Sequence, residues 1–197
     1  MKRLCIFILP YFLIISAYAK EVFVDGNTYR IQECSKTAGL CLVDPEKEIV
    51  EIPSEIIVDS CTYRVTSIQK NAFTFAQKVK KVIIPSSVKC IEKKAFNYCG
   101  NLQTVDILGD IKVNPLSFDQ CRSLLLIRFL SAKPNLLKGA FKHCEQLQEI
   151  HIPVGCGSYY EKQPGIKSFL MCSYCHLVEK ESFDYAVELP SYILIIR

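Results

Sequence analysis

The hydrophobic pattern repeats every 22 to 23 residues through the centre of the chain. Each repeat holds a Phe preceded by a small residue, and further apolar residues stand five positions before it and six, nine and eleven positions after it. A fixed period of this length is typical of a solenoid, in which small units stack on one another because none can bury its apolar face alone. The four strongest units are centred on Phe73, Phe96, Phe118 and Phe141.

Each unit combines a short strand with a segment of helical character. Residues 82–84 and their equivalents alternate apolar and polar positions with a period of two, which indicates a strand. Residues 91–96 carry Lys and Glu at helix spacing before the Ala-Phe pair, and we interpret them as a loose helical turn. The predicted fold class is therefore an α/β solenoid of short stacked strands joined by loose helical turns.

The array is flanked by segments of different pattern. Residues 21–31 and 55–65 align without gaps, and each has a strand, a polar turn and a second strand, which predicts two β-hairpins. We expect them to cap the open edge of the first repeat. The predicted boundaries are 20–65 for the hairpin cap and first strand unit, 66–153 for the repeats, and 154–197 for a closing unit. Residues after 176 form either a degenerate repeat centred on Phe183, with Val178 five positions before it, or a final strand.

The first 19 residues predict a secretory signal peptide. Lys2 and Arg3 precede an apolar run over 4–15, and Ala17-Tyr18-Ala19 is a small-x-small cleavage site. About 20 apolar residues are needed to cross a bilayer, so this run is too short for a membrane anchor. We expect no transmembrane segment and a secreted, cell-surface or periplasmic protein.

Ten cysteines remain after residue 19, and export permits disulfides. Cys99, Cys121 and Cys144 follow the repeat Phe by three positions, where the first unit has Ala76, so we interpret them as reduced, small packing groups. Cys34 and Cys41, in the loop after the first hairpin, are the candidates for a local disulfide.

Composition makes some function classes improbable. The formal charge is +4, and removing residues 1–19 with their two cations leaves +2, which disfavours nucleic-acid binding. A basic cluster in the second and third units is interpreted as a solvated face with neighbouring acids. Its members are Lys78, Lys80, Lys81, Lys89, Lys93 and Lys94.

The repeat resembles the leucine-rich repeats of the BspA-like family, which read close to SxxxIxxxAFxxCxxLxxVxIP. The Ile-Pro that closes a strand recurs at 52–53, 84–85 and 152–153, although Pro is missing after Ile107 and Phe129. Family members often begin with a VDGxxY hairpin and close with VPxGxxxxYxxxxxWxxF, where this chain has Ile166 in place of Trp. The resemblance implies non-enzymatic binding of a protein or glycan, with host matrix proteins among the candidate ligands, since some members are surface adhesins.

The strands predict where such a ligand binds. Residues between the inward positions point out onto one sheet face, and repeat arrays commonly bind ligands on a concave surface of this kind. The predicted binding residues are Lys81, Ile83, Thr104, Asp106, Leu126, Arg128, Glu149 and His151.

Other function classes rest on weaker motifs. Cys172-x-x-Cys175-His176 matches haem c spacing and a redox CxxC, but no second ligand or thioredoxin-like pattern surrounds it. Cys156 between two glycines suggests a nucleophile, yet no base is placed beside it by the sequence. We expect no enzyme, cofactor or metal site. A purely structural envelope scaffold is the remaining alternative, and the oligomeric state is left open.

Overall fold

The computed structural model describes residues 19–170 and 176–180, so the predicted signal peptide lies almost wholly outside it. In chain order the strands are β1 (Lys20–Val24), β2 (Asn27–Gln32), β3 (Thr37–Leu42), β4 (Ile49–Glu51), β5 (Glu55–Val58), β6 (Cys61–Ile68), β7 (Lys81–Ile84), β8 (Cys90–Ile91), β9 (Thr104–Ile107), β10 (Lys112–Val113), β11 (Leu126–Phe129), β12 (Asn135–Leu136), β13 (Glu149–Pro153) and β14 (His176–Lys180). The helices are α1 (Gly157–Glu161) and α2 (Pro164–Leu170).

Two sheets run along the stack and enclose one apolar core. The predicted strands form a parallel sheet in the order β14-β13-β11-β9-β7-β4, and we call its outward side the strand face. The other sheet runs β1-β2-β3-β6-β8-β10-β12, and its strands β8, β10 and β12 are two residues long. The fold is therefore a β-solenoid with a second sheet that the sequence pattern did not predict.

The repeat phenylalanines form a continuous ladder inside the stack. All four rings are buried, and each lies nearly parallel to the next. The centroid separations are 4.2 Å for Phe73–Phe96, 4.6 Å for Phe96–Phe118 and 5.5 Å for Phe118–Phe141. Because each turn buries its ring only against the neighbouring turns, the ladder ties the stability of one turn to the next.

The helical turns predicted before each Phe are wrong. The Phe96 amide donates to the carbonyl of Ser117 in the following turn at 2.8 Å, and the Phe118 amide donates to Ala140 in the same way at 3.0 Å. An α-helix needs that amide for the carbonyl four residues earlier. The charge spacing of residues 91–96 therefore reflects solvent exposure, and helix among the described residues is confined to α1 and α2.

The backbone itself excludes a helix at this point. The position two residues before each repeat Phe is left-handed in all four turns, with φ between 60° and 77°. Only Gly adopts this conformation without steric cost, yet three turns place other residues there. The four residues are Asn71, Lys94, Leu116 and Gly139.

The cysteine ladder confirms the interpretation of reduced packing groups. Cys99, Cys121 and Cys144 are buried free thiols. Each sulfur donates to the carbonyl of the Phe in the preceding turn, with Cys121 Sγ 3.1 Å from the Phe96 oxygen and Cys144 Sγ 3.0 Å from that of Phe118. Cysteine thus fills a small site and also satisfies a backbone acceptor, which Ala76 cannot do.

Thiol labelling tests this arrangement directly. Hydrogen bonds with the Cys144 and Cys99 thiols, together with burial, raise the pKa of Cys121 well above its ordinary value, and only the thiolate reacts with iodoacetamide. Under native conditions we expect Cys34, which is exposed, to be alkylated at least 100-fold faster than Cys121. Peptide mapping by mass spectrometry measures both sites in one sample, and denaturant should remove the difference. Equal native rates would contradict the buried ladder.

Two hairpins precede the repeat array, as predicted. Strands β1 and β2 pair antiparallel across Asp25-Gly26, and β5 and β6 pair across Asp59-Ser60. All four turn residues have positive φ, which is the geometry of a type I′ turn. The first hairpin extends the second sheet through β3, and β6 continues from its hairpin into the parallel part of that sheet.

The expected disulfide between Cys34 and Cys41 is not formed. Cys34 lies in the turn between β2 and β3, next to the Gln32–Thr37 pair that closes the turn. Cys41 lies in β3, four residues beyond Thr37 and away from the turn. At a rise of about 3.3 Å per residue the two α-carbons are more than about 10 Å apart, beyond the reach of a disulfide. Both are free thiols, and Cys41 donates to Gln69 Oε1 at 3.2 Å.

The closing unit covers the far end of the core. Tyr160 in α1 is buried, its hydroxyl donates to the Ser131 carbonyl at 2.6 Å, and its ring packs against Phe129. Ile166 in α2 is also buried, which is the position where the family commonly has Trp.

The described part of the tail, residues 176–180, forms a strand that does not have the predicted register of a degenerate repeat. Strand β14 pairs with β13 on the strand-face sheet, so Val178 lies opposite His151 and not in the column that precedes a repeat Phe. Phe183 lies outside the described residues.

Candidate functional site

The eight predicted binding residues lie in two straight columns on adjacent strands. Parallel pairing without a register shift carries each column across β7, β9, β11 and β13. The first column is Lys81, Thr104, Leu126 and Glu149, and the second is Ile83, Asp106, Arg128 and His151.

The centre of the strand face is a buried acid covered by two cations. Arg128 Nε lies 2.6 Å from Asp106 Oδ1 and its terminal nitrogen lies 2.8 Å from Oδ2, a bidentate pair. Lys81 Nζ lies 3.4 Å from Asp106 Oδ2. The Asp106 side chain has 0% exposure while that of Arg128 keeps 25%. Asp106 therefore points outward as predicted but is covered by its neighbours, so it positions Arg128 and is itself inaccessible to a ligand.

The remaining members of the two columns differ in exposure. Ile83 is almost fully buried, and Leu126 and Thr104 are half-buried. At the β13 end, His151 Nε2 lies 2.6 Å from Glu149 Oε2, and Glu149 is exposed. The accessible part of the strand face is thus an aliphatic side chain next to a fixed guanidinium, bordered by a histidine–carboxylate pair.

We also searched the described residues for a metal-binding cluster. Within 19–170 and 176–180 no group of three or more His, Cys, Asp or Glu side chains is arranged to hold a metal ion. Cys156 is the N-cap residue that precedes α1. Cys172 and Cys175 of the CxxCH motif lie outside the described residues.

The basic cluster is partly neutralised by acids, as predicted. Lys78 Nζ lies 2.5 Å from Glu46 Oε2, and Lys80 Nζ lies 3.0 Å from Glu48 Oε2. These pairs are solvent-exposed, so each adds little to stability, but they reduce the net positive field on this side of the array.

A second candidate surface was missed by the sequence analysis. Phe75 and Tyr98, each two residues after a repeat Phe, are 68% and 61% exposed. A separate, open depression of about 380 Å³ lies between consecutive turns, and neither aromatic residue lines it. The sequence signal for this surface was that Phe75 and Tyr98 occupy the same position of the repeat. The next two turns have Gln120 and His143 at that position, so the aromatic residues did not stand out as a column. The depression is lined by Glu48, Gln77, Lys78, Lys80, Asn101 and Gln103.

The pattern of turns, ladders and strands matches a known family. The BspA type leucine-rich repeat region matches residues 54–163 in six copies, more than half of the chain. The chain belongs to the BspA-type leucine-rich repeat family. Proteins built on such repeats are typically non-enzymatic binding modules, and this array has the same framework.

Solved structures of bacterial leucine-rich proteins show the same fold. A leucine-rich cell surface protein from Faecalibacterium prausnitzii A2-165 is 22% identical, with a TM-score of 0.55 over 69% of this chain. A leucine-rich repeat protein from Bacteroides ovatus is 27% identical, with a TM-score of 0.53 over 68% of this chain. The chain spans only 37% and 36% of these two proteins.

Two further searches, one for related curated proteins and one for membrane-spanning helices, gave no match. No curated protein gave a significant match. In the part of the chain that the structure describes, every helix is too short or too polar to cross a bilayer.

Proposed function

We propose that this BspA-type array is an exported, non-enzymatic binding module that recognises a protein ligand on its strand face. The observation that carries the proposal is the Asp106–Arg128 pair. A buried carboxylate holds the guanidinium at two points in the centre of an otherwise modest sheet face. Leu126, which is two residues before Arg128 at the preceding outward position of β11, adds an aliphatic contact surface.

Preorganisation is what makes this arrangement suited to binding. A free arginine side chain loses considerable rotamer freedom when a ligand fixes it, and that entropy opposes association. Asp106 has already fixed Arg128 in the unbound protein. Arginine is also among the residue types that dominate binding energy at interfaces.

The cellular location is inferred from two independent supports. Residues 1–19 predict a signal peptide, and the Faecalibacterium protein of the same fold is described as a cell surface protein. A ligand outside the cell fits both supports, and a host matrix protein is the class implied by the family resemblance.

Binding to immobilised matrix proteins, measured by surface plasmon resonance, tests the proposal. The test variant is Leu126→Asp with Arg128→Lys. It retains a cation over Asp106 but removes the bidentate fork and the aliphatic contact. We expect at least a tenfold loss of affinity. The matched control is Lys112→Glu with Asn135→Asp, which changes two exposed residues of the second sheet and should leave affinity within twofold.

Two outcomes would overturn the proposal. One is equal affinity of the test variant and the control for a confirmed ligand. The other is the absence of any ligand at high protein concentration together with self-association, which would favour an envelope scaffold.

A further inference from the structure

The sheet that carries the strand face ends at β4. The second sheet continues past β6 through β3, β2 and β1, whereas no strand lies beyond β4 in the part of the chain that the structure describes. Strand β4 is three residues long and pairs in parallel with β7, without a register shift. It is therefore an edge strand at the start of the array.

Half of the backbone groups of β4 point away from the array. The Glu48 carbonyl, just before the strand, accepts a hydrogen bond from the Lys81 amide of β7 at 3.2 Å. Backbone groups of successive residues in a strand point to opposite neighbours, so those of Ile49 and Glu51 point to the free edge. Two amides and two carbonyls are thus aligned for pairing with another strand.

The outward side chains of β4 extend the two columns of the strand face. Ile49 lies beside Lys81 at the head of the first column, and Glu51 lies beside Ile83 at the head of the second. Ile49 is 56% exposed, more than any other aliphatic side chain described on this face. Glu51 is exposed too, and Lys81, which is diagonal to it on β7, pairs with Asp106 instead. A strand added at this edge would meet an aliphatic side chain and a carboxylate.

The edge strand β1 of the second sheet lacks this combination. It begins with Lys20 and Glu21, and charged side chains on an edge, Lys above all, oppose pairing with another chain. Lys20 also forms an ion pair with Asp59 at 3.1 Å, within the same chain. Phe23 of β1 is more exposed than Ile49, but it belongs to the second sheet and is not continuous with the strand-face columns. Strand β4 itself has no Lys, Pro or bulge.

We propose that the protein ligand of the strand face adds an extended segment to β4 as a further strand. The inference rests on the proposed function, because the segment would belong to the same ligand that contacts Arg128. In strand addition the main-chain hydrogen bonds supply affinity, and alternate side chains supply specificity. Strand β4 provides both, since its free backbone groups and its outward side chains lie at one edge of the strand face.

The side chains of β4 specify the chemistry of the added segment. An aliphatic residue of the segment would pack against Ile49, and a Lys or Arg two positions away would lie beside Glu51. Neighbouring pairs of both kinds stabilise a sheet, whereas like charges side by side destabilise it. The segment is therefore one in which an aliphatic and a basic residue occupy alternate positions.

NMR titration with a synthetic peptide tests this edge. The probe is acetyl-Thr-Val-Thr-Lys-Thr-Val-Thr-amide, which places Val and Lys on one side in either strand direction. We expect saturable shifts of the Ile49 and Glu51 amide signals, and slower hydrogen exchange of both amides, at peptide concentrations up to about 1 mM. A peptide of the same sequence with every backbone nitrogen methylated keeps the side chains but cannot donate hydrogen bonds. It should bind at least tenfold more weakly.

Three protein variants complete the test. Ile49→Lys with Glu51→Lys places like charges beside the peptide Lys and should weaken peptide binding at least tenfold. Phe23→Lys makes a corresponding change on β1 and should leave binding within twofold. Leu126→Asp with Arg128→Lys should also leave it within twofold, because β11 lies three strands from β4.

The proposal is wrong if the peptide produces no shift at Ile49 and Glu51, if its shifts are confined to β1, or if the methylated peptide binds equally well. Its failure is distinguishable from that of the proposed function. A protein ligand whose affinity falls with the Leu126 and Arg128 variant but not with the β4 variant would support the strand face and refute the added strand. The opposite result would support the added strand and refute the role of Arg128.

Discussion

Replacing Phe118 by Ala should lower the free energy of unfolding by about 3–5 kcal/mol, the largest loss expected from a single substitution in this chain. Phe118 is buried between Phe96 and Phe141, with ring separations of 4.6 Å and 5.5 Å. The substitution removes ring contacts on both sides and leaves a cavity in the middle of the stack. Domains of this size are stable by only about 5–15 kcal/mol, so the unfolding midpoint in urea should fall markedly.

The chain supplies its own matched control for this prediction. Phe75→Ala is the same chemical change at a side chain that is 68% exposed, and it should alter the stability by no more than about 0.5 kcal/mol. Urea unfolding followed by circular dichroism measures both variants. Similar midpoints for Phe118→Ala and Phe75→Ala would refute the role of the aromatic ladder.

The second large effect is expected from Arg128→Ala. This change removes both hydrogen bonds to the buried carboxylate of Asp106 and leaves Lys81 as the neighbouring cation at 3.4 Å. Breaking a fully buried pair costs about 3–5 kcal/mol because a charge is left without compensation. Arg128 is partly exposed, and its truncation admits water, so we expect about 2–3 kcal/mol from urea unfolding.

A double-mutant cycle separates the lost pair from lost packing. Asp106→Asn removes the charge that needs compensation, so Arg128→Ala should cost clearly less in that background than alone. Arg122→Ala serves as the control, since this exposed side chain donates to Gln120 on the surface and its truncation should be nearly neutral. Additive losses in the cycle would show that Asp106 and Arg128 do not act as a pair.

The inward columns of the array were predictable because the same type of apolar residue recurs at the same position of each unit. Each turn must bury the same face against its neighbours, so Phe96 and Phe118 or Val105 and Ile127 recur at one position and their spacing is visible in the sequence. Strands β7 and β9 were predictable for the same reason, since four residues are enough to show an alternation.

Features that depend on contacts between turns were not predictable. Strand β8 has two residues, too few for any alternation, and it exists because neighbouring turns pair with it. The helical interpretation of residues 91–96 failed because the amide of Phe96 is used by Ser117 in the next turn. A pattern within one unit carries no information about this partner.

The candidate site shows the same division. Alternation gave the direction of the Asp106 side chain, but its burial depends on the length of Arg128 one strand away. Exposure of Phe75 and Tyr98 was not predictable either, since aromatic residues are more often buried than exposed. In these two turns, one aromatic residue lies in the core and the other, two positions later, lies on the surface.

The hydrogen bonds that Phe73, Phe96 and Phe118 donate to the next turn also bear on how the gene can change. Every turn offers its neighbour the same set of partners: an amide, a carbonyl, a ring and, in three turns, a thiol. A tandem duplication of one 22- or 23-residue unit would therefore recreate each contact at the new junction. Array length can vary by whole units without a new fold.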